Sequence, residues 1–197
     1  LIGPNCLGLY SPADRLTFMP GFPREPGAVF MLSQSGTNAG DIVHGLAARG
    51  VRFSKGVSYG NGADLRAHDF LEYAAWDPDT EIVVAYIEGV RDGRRFFDAL
   101  RRCAERKPTI VLKGGHTAAG ARAAESHTGS LAGSIEVFDA ICRQAGAMRV
   151  GTMAELHDLV IALTTALREV RGRGVALIGI GGGFAVLSSD AIAEAGL

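Results

Sequence analysis

Short apolar runs alternate along this chain with stretches in which apolar residues recur at helical spacing, and that alternation predicts a parallel sheet flanked by helices. Residues 28–32, 82–87, 109–113 and 175–180 read as strands buried on both faces, and 53–58 as a weaker strand. Helical spacing occupies 36–49, 64–75, 92–106 and 133–145. Gly50 and Gly146 stand where helices stop, because glycine enters the left-handed conformation without steric cost. Thr152-Met153-Ala154-Glu155 has the T-x-x-E form of a capping box and opens a long helix reaching about Glu169, which Arg171-Gly172-Arg173-Gly174 breaks.

The expected fold class is therefore α/β. A flavodoxin-like, doubly wound parallel sheet is expected over residues 1–150. Over 151–197 a linking helix leads to strand 175–180, Gly181-Gly182-Gly183 and a further helix, the first βα unit of a second α/β domain cut short at the chain end. The chain starts Leu1-Ile2-Gly3 and stops at Gly196-Leu197 just after a helical pattern, so a piece of something larger is expected.

Composition narrows the class. Net charge is -1 with the basic residues dispersed, which offers neither a face for nucleic acid nor a polybasic membrane anchor. No apolar run approaches the ~20 residues of a membrane span. Cys6, Cys103 and Cys142 are far apart, so neither a disulfide framework nor a zinc site is expected, and a cytoplasmic setting fits. His44, His68, His116 and His157 lack metal-ligand spacing and are expected to be exposed helix or loop residues.

Two strand-to-helix junctions have the composition of anion sites. Ser33, Ser35, Gly36 and Thr37 open a helix where hydroxyls, free backbone N–H groups and the helix dipole converge. Gly181, Gly182 and Gly183 precede the last helix with no side chains to obstruct an anion. Either junction would serve equally as a tight packing turn. Phe184 stands where a dinucleotide fingerprint wants its third glycine, and no acid follows ~20 residues on, which argues against NAD.

Between strand 109–113 and the helix near Gly133 runs a segment rich in Gly, Ala, Ser and Thr that carries His127. Long loops of this kind are commonly functional. A lone histidine there is by default a solvated one. It could also take a phosphoryl group on one ring nitrogen while a carboxylate holds the other N–H. Glu88, at the carboxyl end of strand 82–87, is where an open α/β sheet presents functional groups, and it is either that carboxylate or a strand-end cap. Cys6 lies in a turn-rich stretch where a buried, inert thiol is the ordinary reading.

These pieces, in this order, resemble the nucleoside-diphosphate-forming acyl-CoA synthetases, the superfamily of succinyl-CoA synthetase and ADP-forming acetyl-CoA synthetase. The resemblance rests on GPNCLG at 3–8, LSQSGT at 32–37, SYGNGADL at 58–65, YIEG at 86–89, SHTGSLAG at 126–133 and GIGGG at 179–183. It implies a relay in which acyl-CoA and phosphate give an acyl phosphate and free CoA, and the phosphoryl group passes to His127 and then to ADP or GDP. The reverse run makes the thioester from acid, CoA and ATP or GTP. It further implies that Glu88 orients the histidine and that the helix starts at 35–36 and 182–183 hold its phosphate from two sides. Asn5 and Cys6 match the segment near the CoA thiol, and Gly60, Asn61 and Gly62 the loop near the acyl group.

The family's CoA-binding Rossmann domain and its nucleotide-grasp domain or subunit, where the nucleotide and Mg bind, would be partners, and an oligomer is expected. His116 replaces the basic residue expected early in the loop. The competing expectation is a regulatory acyl-CoA-sensing module, as in fusions to protein acetyltransferases, which would need neither His127 nor Glu88.

Overall fold

The structure, a computed structural model, describes residues 1–17, 19–115, 117, 119–120, 134–165 and 172–197. By contacts the chain divides into two units, Leu1–Ala166 and Leu167–Leu197.

The first unit is built on a six-stranded sheet: β1 (Gly8–Tyr10), β2 (Pro26–Ser33), β3 (Phe53–Ser58), β4 (Ile82–Ile87), β5 (Thr109–Lys113) and β6 (Met148–Val150). Its strand order is β1-β3-β2-β4-β5-β6, with β1 antiparallel to β3 and the other pairs parallel. Without β1, that is the doubly wound flavodoxin-like order, in which the winding reverses between β2 and β4.

Strand alternation distributes the core between the two faces of the sheet. Phe30 and Leu32 of β2, with Val83, Ala85 and Ile87 of β4, pack under α2 (Ala67–Trp76), α3 (Gly93–Ala104) and α4 (Ile135–Ala145). Val29 and Met31, with Ile82 and Val84, pack on the other face under α1 (Gly36–Ala47) and α5 (Met153–Thr164). The helix expected to link the domains thus sends Leu156 and Val160 into the first unit's core. The end expected for that helix, at about Glu169, lies outside the described residues.

Local signals set the boundaries. Ser35, Asp92, Ser134 and Thr152 each cap a helix by accepting from a backbone N–H three residues on. Gly146 ends α4 at φ 77°, a conformation open to glycine. α2 starts later than helical spacing alone suggests, because the Asp69 carboxylate accepts from the Arg66 N–H at 2.9 Å and fixes the first turn there.

In the second unit, α6 (Gly182–Glu194) forms where expected, but 175–180 does not form the expected buried strand. The segment is exposed and has no ladder among the described residues, and an isolated strand cannot satisfy its backbone groups without a neighbour.

Candidate functional site

In an open α/β sheet, ligands bind outside the carboxyl ends of the strands where the winding reverses. Here that point lies between the ends of β2 and β4, where Ser33, Gln34 and Ser35 meet Glu88 and Gly89. Gln34 joins the two turns. Its backbone N–H donates to the Tyr86 carbonyl at 3.0 Å, and its Oε1 accepts from the N–H groups of Glu88 at 2.8 Å and Gly89 at 3.0 Å. The Tyr59 hydroxyl donates to the same oxygen at 3.2 Å.

Ser33 is fully buried, and its hydroxyl donates to the Ser35 carbonyl at 2.6 Å, which rigidifies the turn into α1. Ser35 Oγ accepts from Asn38 N–H at 3.3 Å. Gly36 and Thr37 then present the first N–H groups of α1, which have no intrahelical acceptor. Thr37 is exposed, whereas Gly36 lies against the strap that precedes β1: a Cβ there would stand 3.1 Å from Leu7 Cγ.

Glu88 is buried, 5% exposed. Gln34, one residue before the Ser35 cap of α1, thus ties the peptide groups after the strand end to the start of α1, and the Tyr86 hydroxyl lies within reach of the Glu88 charge. Burial, reinforced by the Glu88 charge, pushes that hydroxyl up to about 12, and the same two causes raise Tyr59. From the next strand, the Lys113 Nζ donates to the Glu88 carbonyl at 2.6 Å and to that of Gly114. Burial pushes the ammonium below the ordinary lysine range, and the Glu88 charge opposes that shift.

The strap and the turn after β3 close one side. Asn61 N–H donates to the Pro4 carbonyl at 3.0 Å, Ala63 N–H to the Gly3 carbonyl at 3.0 Å, and Asn5 Nδ2 to Asn61 Oδ1 at 3.4 Å. Gly60 has φ +54°, and a Cβ there would fall 2.0 Å from the Asn5 carbonyl oxygen, so only glycine allows this approach. Gly62 follows at φ +56°. Cys6 is half-buried, more accessible than the buried cysteine expected. A crevice lined by Gln34, Tyr59, Asn61, Gly62 and Gly89, together with Arg66 and Arg91, opens between these turns.

The fold thus gathers Asn5, Cys6, Ser33, Ser35, Gly36, Thr37, Gly60, Asn61, Gly62 and Glu88 at one end of the sheet. His127 lies outside the described residues, as does His116. The segment that carries His127 leaves β5 at Lys113, beside Glu88, and the described structure resumes at Ser134, which caps α4. Gly181, Gly182 and Gly183 begin α6 in the second unit, Gly181 at φ +95°, and among the described residues no atom beyond the local backbone lies within 4 Å of a Cβ built on any of the three.

Of the remaining histidines, His44 is exposed and His157 half-buried against Gly45, but His68 is buried, contrary to the expectation of exposure. Its position on α2 turns it inward, with Nε2 3.4 Å from Asp69 Oδ2. Among the described residues no group of three or more His, Cys, Asp or Glu side chains could hold a metal ion, and no helix is long and apolar enough to cross a membrane.

Sequence reasoning passed over Gln34, Tyr86 and Lys113. A signal was present for the last of these: a lysine closes a five-residue strand that is buried along its whole length.

An α/β fold with polar residues gathered at its switch point defines a class, and sequence comparison names it. The chain matches the succinyl-CoA ligase like flavodoxin domain over residues 26–163 and belongs to that family. It is 41% identical to acetate--CoA ligase [ADP-forming] I of Archaeoglobus fulgidus, over 100% of this chain and 28% of that protein. It is 40% identical to the alpha subunit of acetate--CoA ligase [ADP-forming] I of Pyrococcus furiosus, over 100% of this chain and 43% of that subunit. A solved acetyl-coenzyme A synthetase 1 of Ca. Korarchaeum cryptofilum, in complex with phosphate and ADP, superposes with a TM-score of 0.88 at 35% identity, over 99% of this chain and 42% of that one. The chain therefore spans less than half the length of these relatives.

Proposed function

We propose that the chain is the histidine-bearing part of an ADP- or GDP-forming acyl-CoA synthetase. In this reading residues 1–150 are the phosphohistidine domain, α5 is the linking helix that packs onto it, and the residues after that helix begin a second α/β domain. A CoA-binding Rossmann unit and a nucleotide-grasp unit, where ADP and Mg bind, complete the enzyme in the same or another polypeptide. It works in the cytoplasm as an oligomer.

The reaction is a sequence of transfers. Phosphate displaces CoA from an acyl-CoA to give an acyl phosphate; the phosphoryl group moves to a ring nitrogen of His127, releasing the carboxylic acid; ADP then takes the phosphoryl group to give ATP and restore the histidine. Glu88 holds the other ring N–H, which fixes the tautomer and leaves the attacking nitrogen with a free lone pair. The first N–H groups of α1, around Ser35, Gly36 and Thr37, stabilise the transferred phosphate charge, and N–H dipoles do so without adding a competing nucleophile. The starting glycines of α6, 181–183, are given a phosphate-binding role of their own by the same resemblance. The strap at Asn5 and Cys6 and the turn at Gly60, Asn61 and Gly62 face the thioester and the acyl phosphate.

The observation that carries this reading is Gln34, adjacent to the Ser35 cap of α1, whose Oε1 accepts from the N–H groups of Glu88 and Gly89 and so joins the turn of a buried carboxylate to a helix N-terminus. The similarity of the whole chain to ADP-forming acetate--CoA ligases supports it.

The test is labelling of the complete enzyme with γ-labelled ATP and magnesium. Acid-labile, base-stable label is expected, absent in His127→Asn, with CoA binding retained. Glu88→Gln should label more slowly. A His127→Asn enzyme that still turned over at the normal rate would end the proposal.

A further inference from the structure

Where β4 leaves the sheet, the peptide groups of Glu88 and Gly89 pass beyond the ladder of β2 and β5 and must find other partners. Two side chains, one from each flanking strand's end, supply them. Gln34 Oε1 takes both N–H groups, at 2.8 and 3.0 Å, and Lys113 Nζ takes the Glu88 carbonyl at 2.6 Å.

Both clamping residues are themselves fixed to the sheet. Gln34 N–H bonds the Tyr86 carbonyl, and the Tyr59 hydroxyl bonds its Oε1. Lys113 is paired with Ile87 in the β4–β5 ladder, and the N–H of the next residue, Gly114, donates to the Ile87 carbonyl at 2.9 Å. The three residues are buried, with exposures of 3% for Gln34, 5% for Glu88 and 2% for Lys113, so water does not replace a lost partner cheaply.

We infer that Gln34 and Lys113 are positioning residues for the phosphoryl-transfer site, acting on Glu88 through its main chain. Holding the peptide groups on both sides of Glu88 fixes the direction of its Cα–Cβ bond, and so the place its carboxylate can reach. Neither residue touches the phosphoryl group. The inference rests on the proposed role of Glu88 towards His127. A buried lysine costs desolvation, and a strand buried on both faces would ordinarily end in an apolar residue. Its place at the strand end is explained by the carbonyls it holds.

Two substitutions separate this role from packing. Gln34→Met keeps the shape and removes the acceptor; Gln34→Glu keeps an acceptor oxygen and brings a charge into a buried place. If Gln34 only fills space, Met is the milder change. If it clamps Glu88, the order is reversed. In the complete enzyme, with label followed from γ-labelled ATP to His127, Gln34→Met is expected to lower the rate of histidine phosphorylation ~10- to 100-fold at an unchanged KM for ATP, because misplacement by about 1 Å costs up to this much. Gln34→Glu is expected to recover most of the rate, and Lys113→Met to lose it as Gln34→Met does.

Thermal unfolding of each variant identifies any that fail to fold; their place is taken by Gln34→Leu and Lys113→Leu, judged by the same rate against KM. Wild-type label on His127 with Gln34→Met at the wild-type rate, or with Met faster than Glu, overturns the clamp and leaves the phosphohistidine reading standing. No label on wild-type His127 overturns both.

Discussion

At the scale of single residues, the structure turns on close approaches that only particular side chains allow. Gly60 is the sharpest case, since positive φ and a carbonyl oxygen at 2.0 Å from the position of a Cβ act together. Gly60→Ala should therefore destabilise the domain by ~2 kcal/mol, from left-handed strain plus displacement of the strap, and a lowered urea midpoint would register it. An unchanged midpoint would mean that the strap contributes nothing to the folded state. Glu88 was legible as a functional candidate from its place at a strand end. Gln34 was not, because a glutamine in a serine- and glycine-rich turn has no periodicity and its three donors come from residues far away in sequence. Lys113 carried its signal in being a charge on an apolar strand, visible once both faces of that strand are known to be covered.

At the scale of elements, three strands were readable to the residue: β3, β4 and β5 fall at 53–58, 82–87 and 109–113 as expected, whereas β2 runs from Pro26 to Ser33, beyond the apolar run 28–32. β1 and β6 were invisible, because three residues are too few to show alternation and their pairing is a tertiary fact. The opposite failure occurred at 175–180, where an apolar run was taken for a strand without a neighbour to hold it. Helix starts followed their caps more closely than their hydrophobic spacing, as the displacement of α2 by Asp69 shows. α1 is held mainly by its buried face. Leu46, fully buried where α1 packs on the sheet beside α5, should cost ~2–5 kcal/mol as Leu46→Ala, measured by chemical denaturation, since truncation leaves a cavity in a packed layer. A loss below 1 kcal/mol would show that α1 adjusts to fill the space.

At the scale of the whole molecule, the candidate site is assembled by topology. Four sequence motifs, at 3–8, 32–37, 58–65 and 86–89, have no local reason to meet; the reversal of winding between β2 and β4 and the antiparallel return of β1 onto β3 bring them together. The sequence could propose the fold from the order of its strands and helices. It could also propose the site from the resemblance of its motifs, but the hydrogen bonds that join one turn to the next needed coordinates.

The edge strand β1 has a kinetic consequence. Its ladder is only three residues long, Gly8 opposite Ser58, Leu9 opposite Val57 and Tyr10 opposite Gly56, and its partner lies far along the chain. Such a strand closes late in folding and opens early in native-state fluctuation, without the parallel core coming apart. Because Asn61 and Ala63 donate their N–H groups to the strap just before it, those amides should exchange with solvent deuterium together with the ladder amides of β1, and faster than those of β2 and β4. Exchange of Asn61 at the slow rate of the core strands would show the strap to be as permanent as the sheet. Exchange with β1 would make one wall of the site a part that detaches and re-forms while the rest of the domain stays folded.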